Sequence, residues 1–239
     1  MLLTPGNRKL GHNTIWTFSL PSGTPEVCVG MTDLCRRCCY AARLETYRLT
    51  ARAKFAANLK ASRRPDFAAR IRGLIVGCRI RVVRIHTGGD FHAADYARQW
   101  LCVCRGLRRV RFYFYTRSWR DSEIRPVLEV LAALPNVRAW WSCDRETGLP
   151  DRLPPGARIA WLMEQAHDLP PPSAGVVFRV QALRQQPQAE LHGVRVCPTE
   201  NGLTGDAELS CDRCGHCWKP LPAAAEPSQF VPLPMTAAQ

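Results

Sequence analysis

Apolar positions recur at helical spacing through residues 40 to 62, YAARLETYRLTARAKFAANLKAS, with good helix formers between them. The stretch reads as one helix that ends before the Arg63-Arg64-Pro65 break. Residues 66 to 77 read as a second helix. The pattern then changes to short apolar runs rich in β-branched and aromatic side chains: IRVVRIHTGG, VRFYFYT, VRAWWSC, ARIAWLM, GVVFRV and VRVCP. Helical patterns, notably AADYARQWLCVCRGL and EIRPVLEVLAAL, lie between several of them. Strand, helix, strand at this pitch predicts βαβ units and a parallel sheet, and the connections lack the residues of two-residue hairpins. The linkers GLPDRLPPGAR and DLPPPSAG are rich in proline and too short for full helices. The expected fold is therefore α/β, a partial or irregular (β/α) barrel of about six parallel strands with a Cys-rich N-terminal loop and a Cys-rich C-terminal segment. Residues 1–27 read as a lead-in and 28–219 as a single domain, with its cysteine loop at 28–39 and a second cysteine segment at 197–217. Residues 220–239 read as a disordered tail.

Composition supports one large domain. The chain has 239 residues, 46% of them hydrophobic, which is enough for an ample core without covalent staples. The first twenty residues lack an apolar run with a cleavage-like site, and no segment approaches the roughly 20 apolar residues that span a bilayer. The expectation is a cytoplasmic protein without a membrane partner. In that compartment clustered cysteines are metal ligands before they are disulfides.

Charge adds a partner class. The formal net charge is +13, from 33 Lys and Arg against 20 Asp and Glu, and only Lys9, Lys54, Lys60 and Lys219 are lysines. Arginine in that excess is either a surface that holds phosphates with planar forks or the mark of a GC-rich genome. A nucleic acid or nucleotide is the polyanion such a surface would take. The densest basic run, Arg36 to Arg84, begins inside the first cysteine cluster.

Eight of the twelve cysteines fall into two groups. Cys211, Cys214 and Cys217 stand at C-x2-C-x2-C, and Cys197 can close the set. Three thiolates at this spacing with a fourth remote fit a [4Fe-4S] cubane, whereas a zinc knuckle uses one C-x2-C pair with two further thiolates. Iron–sulfur is the preferred reading and zinc the alternative; His216 reads as a solvated turn residue. In CVGMTDLCRRCCY, Cys28, Cys35 and either Cys38 or Cys39 offer three thiolates, and the left-over neighbour packs as a small hydrophobe. Three ligands leave one iron open. Cys102 and Cys104 read as core, and Cys143, at a strand end, as a residue that could face a site.

The segment IRVVRIHTGGDFHAADY is an apolar strand, a Gly-Gly turn and an Asp before a helix. Glycines there let backbone approach a ligand, and the Asp90 carboxylate either receives an amine or hydroxyl or caps the helix. His86 and His92 are candidates for the same pocket. Thr116, Arg117 and Ser118 follow one strand and Ser142, Cys143 and Asp144 another, so the two trios converge if the strands are parallel neighbours. Taken alone, Arg117 reads as a surface residue. A nuclease finds little support, since the sequence shows no carboxylate constellation of the kind that two-metal hydrolysis needs.

The succession FSLPSGTPEVCVGMTDLCRRCCYAARLETY, RIHTGGDFHAADYARQW, RFYFYTRSW, VCPTENG and SCDRCGHCW resembles the gene-product-88-like family of actinobacterial phages and plasmids, over residues 9 to 219. Its layout is similar in turn to radical S-adenosylmethionine proteins, whose three-cysteine loop follows the first strand of a (β/α) barrel. The resemblance implies Cys28, Cys35 and Cys39 as cubane ligands, with Tyr40 directly after them. It implies that Gly88, Gly89 and Asp90, after Thr87, stand where a Gly-Gly-Glu stretch grips the methionine amino group of S-adenosylmethionine. This chain departs from that pattern in its longer C-x6-C spacing and in Asp for Glu. The expected function is a radical enzyme on a nucleic acid or nucleotide-related substrate, supplied by an electron donor. The alternative is an iron–sulfur or zinc protein that binds nucleic acid without turnover.

Overall fold

A computed structural model describes residues 1–186, 188–200 and 210–219. Six strands form one parallel sheet in chain order: β1 (Ile15–Phe18), β2 (Val82–Ile85), β3 (Arg111–Thr116), β4 (Val137–Cys143), β5 (Ala157–Met163) and β6 (Ala174–Arg179). Between β1 and β2 lie α1 (Asp33–Arg37), α2 (Tyr40–Tyr47), α3 (Leu49–Ser62) and α4 (Phe67–Gly77); α5 (Ala94–Gly106) and α6 (Arg125–Ala132) make the next two crossovers. β4 to β5 and β5 to β6 are joined without a helix, as their proline-rich linkers predict. This is the α/β architecture expected from the alternation of runs.

The strands sort their residues between two faces by their period of two. Phe18, Val83, Ile85, Phe112, Phe114, Ala139 and Trp141 enter the large core together with Phe67 and Ile71 of α4, Tyr96 and Trp100 of α5, and Leu128 and Leu131 of α6. A consecutive parallel order puts every crossover on one side, so the opposite, inner face needs another cover. The cover is the C-terminal segment: Cys211, Cys217 and Trp218 pack on Ile15, Val82 and Tyr113, and Cys197 packs with Trp140, Ala160 and Val176.

Several expectations change. The sixth strand is β1, from IWTF, and not VRVCP, so the lead-in of residues 1–27 contributes a strand of the sheet. IWTF is only four residues long and lacks alternation because both of its faces are covered. VRVCP instead gives β8 (Val194–Arg195), which pairs antiparallel with β7 (Glu190–Leu191). The two residues between them, His192 and Gly193, both have positive φ, 50° and 75°, the requirement of a type I′ hairpin, so one hairpin is present after all. The helix expected over 40–62 breaks at Arg48. Thr46 Oγ1 takes the Arg43 carbonyl at 2.7 Å, a local bond that competes with helix propagation. The tail expected at 220–239 lies outside the described residues.

Both sheet edges are covered. Thr4 bridges Thr17 of β1, and Val196 bridges Val177 of β6.

Candidate metal centres

The loop after β1 is built by local bonds that the sequence supplies. Cys28 N donates to Thr24 O at 2.8 Å and Met31 N to Cys28 O at 2.9 Å. Thr32 caps α1, its Oγ1 accepting from Cys35 N at 3.0 Å, and Cys39 caps α2, its Sγ accepting from Ala42 N at 3.4 Å. Cys35 lies within electrostatic reach of Cys28, Cys39 and Cys38. Cys38 also stands against a carboxylate, with Sγ 3.7 Å from Glu164 Oε1.

The strand ends hold this loop in place. Thr32 Oγ1 donates to Asp144 Oδ2 at 3.0 Å, and Leu34 N donates to Glu146 Oε2 at 3.0 Å. Arg117 Nη1 meets the same Asp144 Oδ2 at 2.8 Å, a pair almost wholly out of solvent. The Arg117 charge also bears on Cys35, opposing the rise that burial gives its thiol. Gly30 allows this approach: a Cβ there would stand 1.9 Å from Arg117 O. The two polar trios therefore converge as parallel neighbouring strands require. Arg117, a surface residue on composition alone, is instead buried among them, 6% exposed. Its signal was its position directly after a strand.

The thiols here are shielded. Burial, with help from Asp90, pushes Cys28 up to about 12 against a backbone bond from Gly23. Burial also raises Cys35, opposed by Arg117, and raises Cys38 together with Glu164. Cys143, at the end of β4, is buried beside Arg117 and pushed up to about 11, chiefly by burial.

Gly88, Gly89 and Asp90 do lie beside this loop, but Gly88 O, Gly89 N and the Asp90 carboxylate are engaged within the chain. Gly88 O accepts from Leu20 N at 2.9 Å and Gly89 N donates to Ser22 Oγ at 2.9 Å. A Cβ on Gly88 would meet Ser22 Oγ at 2.6 Å, and one on Gly89 would meet Leu20 Cβ at 2.5 Å. The space the glycines leave is filled by the loop after β1. Asp90 is buried and accepts from Thr116 Oγ1 and Arg117 N at 2.7 Å, Phe91 N at 2.8 Å and Ser118 N at 3.3 Å. It ties the β2 turn to the β3 turn, and this trio does not fit a grip on S-adenosylmethionine. His86 is buried at φ 64°, with Nε2 2.8 Å from Tyr96 Oη, and His92 stacks on the same tyrosine while its Nε2 meets Ser62 Oγ at 2.9 Å. Both histidines belong to the packing beneath the helices.

The second group of thiols sits on the inner face. Cys197 N donates to Val177 O at 2.9 Å, which fixes Cys197 against β6. Cys211 and Cys214 belong to the one-turn helix α7 (Cys211–Cys214), closed by Gly215 at φ 70°. Cys217 O accepts from Trp140 Nε1 at 3.0 Å, and Trp218 Nε1 donates to Cys211 O at 3.0 Å. All four thiols line one cavity of about 30 Å³, with Val176, Thr199 and His216. The His216 Nε2 meets Gly175 O at 2.9 Å, so this ring is anchored to the sheet. Burial pushes Cys217 up to about 12; Cys211 is raised by burial, with Arg84 and Lys9 pulling it down.

Between the two groups stands Arg84 of β2. Its guanidinium lies 5.2 Å from the Tyr115 ring centre and 6.0 Å from that of Tyr113, with Nη2 3.5 Å from Tyr40 Oη. All twelve cysteines are free thiols, and Cys102, expected in the core, is exposed on α5 while Cys104 is buried. Among the described residues no three His, Cys, Asp or Glu side chains are already drawn together as ligands of one metal ion. No helix among them is long and apolar enough to cross a membrane.

The fold and its thiols define an α/β protein with one group of cysteines at the C-terminal edge of a parallel sheet and another on its inner face. The family described as Gene product 88 matches residues 1–220, and the chain belongs to that family. It is 26% identical over 215 residues to the Gene 88 protein of Mycobacterium phage L5, covering 84% of this chain and 82% of the relative. It is 30% identical over 112 residues to the Gene 88 protein of Mycobacterium phage D29, covering 42% and 47% respectively. No solved structure matches it.

Proposed function

We propose that the chain is a two-centre iron–sulfur protein that acts on a nucleotide-related or nucleic-acid substrate. Cys28, Cys35 and Cys39 would hold one cubane, and Cys197, Cys211, Cys214 and Cys217 a second. The observation that supports this reading is that Cys197 lines one cavity with Cys211, Cys214 and Cys217 from a separate segment, while Cys28, Cys35 and Cys39 share the short loop after β1, all of them unbridged. The C-x2-C-x2-C spacing favours a cluster over zinc. When bound, a cubane on three thiolates supplies one-electron chemistry at an iron open to a ligand.

The chain's own residues supply the surroundings. Arg117, pinned by Asp144, sets a fixed cation near Cys35, where it favours the thiolate. Arg84 places a cation between the two centres, where an anionic group of a substrate can be held. Tyr113, Tyr115 and Trp140 keep water from the inner face.

A radical S-adenosylmethionine enzyme is the second reading, favoured by the three-thiol loop that directly follows β1 of a consecutive parallel sheet. Gly88, Gly89 and Asp90, filled in by the chain's own loop and bonds, do not support it.

Anaerobic purification with an iron and zinc count tests the proposal. Iron equivalent to two cubanes is expected, and zinc without iron would overturn it. Cys39→Ala should lose about half of the iron, and Cys38→Ala should keep it. Release of 5′-deoxyadenosine after dithionite and S-adenosylmethionine are added separates the two readings.

A further inference from the structure

Each of the strands β2 to β5 opens with an arginine: Arg81 directly before β2, Arg111 first in β3, and Arg138 and Arg158 second in β4 and β5. The register pairs Val82 with Arg111, Tyr113 with Arg138 and Trp140 with Arg158, so Arg111, Arg138 and Arg158 share the inner face at the N-terminal edge of the sheet. Arg81, one residue before Val82, stands at the same edge on the helix side with Trp16; this edge is opposite the loop of Cys28 to Cys39. Four strands at about 4.8 Å spacing spread them along about 14 Å of edge.

Among the described residues none of the four has a carboxylate partner. Arg138 carries a buried Nε without a hydrogen-bond partner, and it is lowered by burial and by the neighbouring charge of Arg111. Arg158 lies over the Trp140 ring at 5.3 Å and is lowered by burial and by Arg138. Like charges set side by side and partly withdrawn from water cost stability unless an anion joins them.

At the β2 end the edge opens into a basin of about 530 Å³ lined by Trp16, Arg79 and Arg81 with Asn13 and Thr14. That volume is in the range of sites for small ligands, and an indole beside two guanidinium groups is what a base and its phosphate need.

We infer that the N-terminal edge of the sheet binds single-stranded nucleic acid, with a base in the Trp16 basin and the backbone phosphates along Arg81, Arg111 and Arg138. Arginine forks match phosphate oxygens two at a time, and a stacking platform beside them distinguishes a nucleic acid from an acidic protein or a lipid surface. The inference concerns a face remote from the cysteine loop and does not rest on the proposed iron–sulfur chemistry.

The test is anisotropy of a fluorescein-labelled oligothymidylate of about 20 nucleotides, titrated with the full chain as purified anaerobically, between about 50 and 200 mM salt. The variant R81Q/R111Q/R138Q leaves Arg158 in place beside Cys217. It should weaken binding at low salt about tenfold or more and reduce the salt slope by about 2, near 0.7 per lost phosphate contact. R81K/R111K/R138K keeps the charge and should restore the slope but only part of the affinity. Trp16→Phe should weaken binding a few-fold without changing the slope. The control R43Q/R48Q/R70Q removes the same charge from exposed positions on and between the helices and should bind within about threefold of the parent. Iron content and the circular dichroism spectrum are measured for each variant, so a loss of fold or of metal is seen as such. Failure of the parent to bind at low salt overturns the inference, as does equal weakening in the control. Tighter capture by phosphatidylserine vesicles through the same three arginines also overturns it, in favour of a membrane surface.

Discussion

At the C-terminal edge of the sheet Arg37, Arg117 and Arg145 each reach a carboxylate, whereas at the N-terminal edge Arg81, Arg111 and Arg138 reach none among the described residues. The carboxylates come from the turns after β4 and β5: Asp144, Glu146, Glu164 and Asp168. They neutralise the arginines and at the same time hold the loop that carries Cys28, Cys35 and Cys39. Charge at that end is spent on internal order. At the other end the same residue type keeps its charge for an outside partner, although nothing in the composition separates the two sets.

The comparison predicts very different costs of substitution. The largest falls on Asp144→Ala, which leaves Arg117 buried without its anion and releases Thr32. Chemical denaturation should show a loss of about 3–5 kcal/mol. A loss below about 1 kcal/mol would mean that water reaches Arg117 and that the edge is looser than its geometry.

Asp90→Asn comes next. An amide has one acceptor oxygen where the carboxylate has two, so it leaves a buried N–H of Arg117 or of Phe91 unpaired, at about 1.5–3 kcal/mol. The same measurement checks it, and an unchanged midpoint would show that the β2 and β3 turns do not depend on this carboxylate.

A pH effect of similar size belongs to the helix side. Burial lowers His86 to about 3, with neighbouring His92 and Arg84 adding to it. A histidine lowered on folding leaves the unfolded chain holding more protons, so its contribution is complete above about pH 6.5 and falls as pH drops toward 3. His86 alone should make the protein about 2 kcal/mol less stable at pH 5 than at pH 7, and His86→Gln should flatten that part of the profile. A variant that retains the full acid sensitivity would move the effect to other groups.

Arg111→Ala should have the smallest effect, within about 0.5 kcal/mol and of either sign, because it breaks no ion pair and relieves Arg138 of a like charge. A loss near that of Asp144→Ala would abolish the contrast between the two edges.

Much of this architecture was legible along the chain. The alternation of runs gave a parallel sheet, the proline-rich linkers gave two helix-free connections, and residues 66 to 77 form a helix within one residue of the expected bounds. The trios after β3 and β4 were readable as converging because a parallel sheet places all strand ends on one edge. IWTF was too short to be read as a strand, since its burial on both sides comes from Thr4 and α4 on one hand and the C-terminal segment on the other. His192-Gly193 was overlooked because its left-handed pair is a property of conformation that a histidine only weakly signals.

Sequence alone determined which residues could do chemistry: two sets of thiols, an excess of arginine and a Gly-Gly-Asp turn. Their local spacing also determined the caps and turns that shape each loop, because those depend on neighbours a few residues away. Only the tertiary structure decided which groups meet. It set Cys38 against Glu164, brought Cys197 beside Cys211, Cys214 and Cys217, and filled the space beside Gly88 and Gly89 with the chain itself. It also decided which arginines are neutralised, because an ion pair needs contact in space and the carboxylates all arrive at one end of the strands.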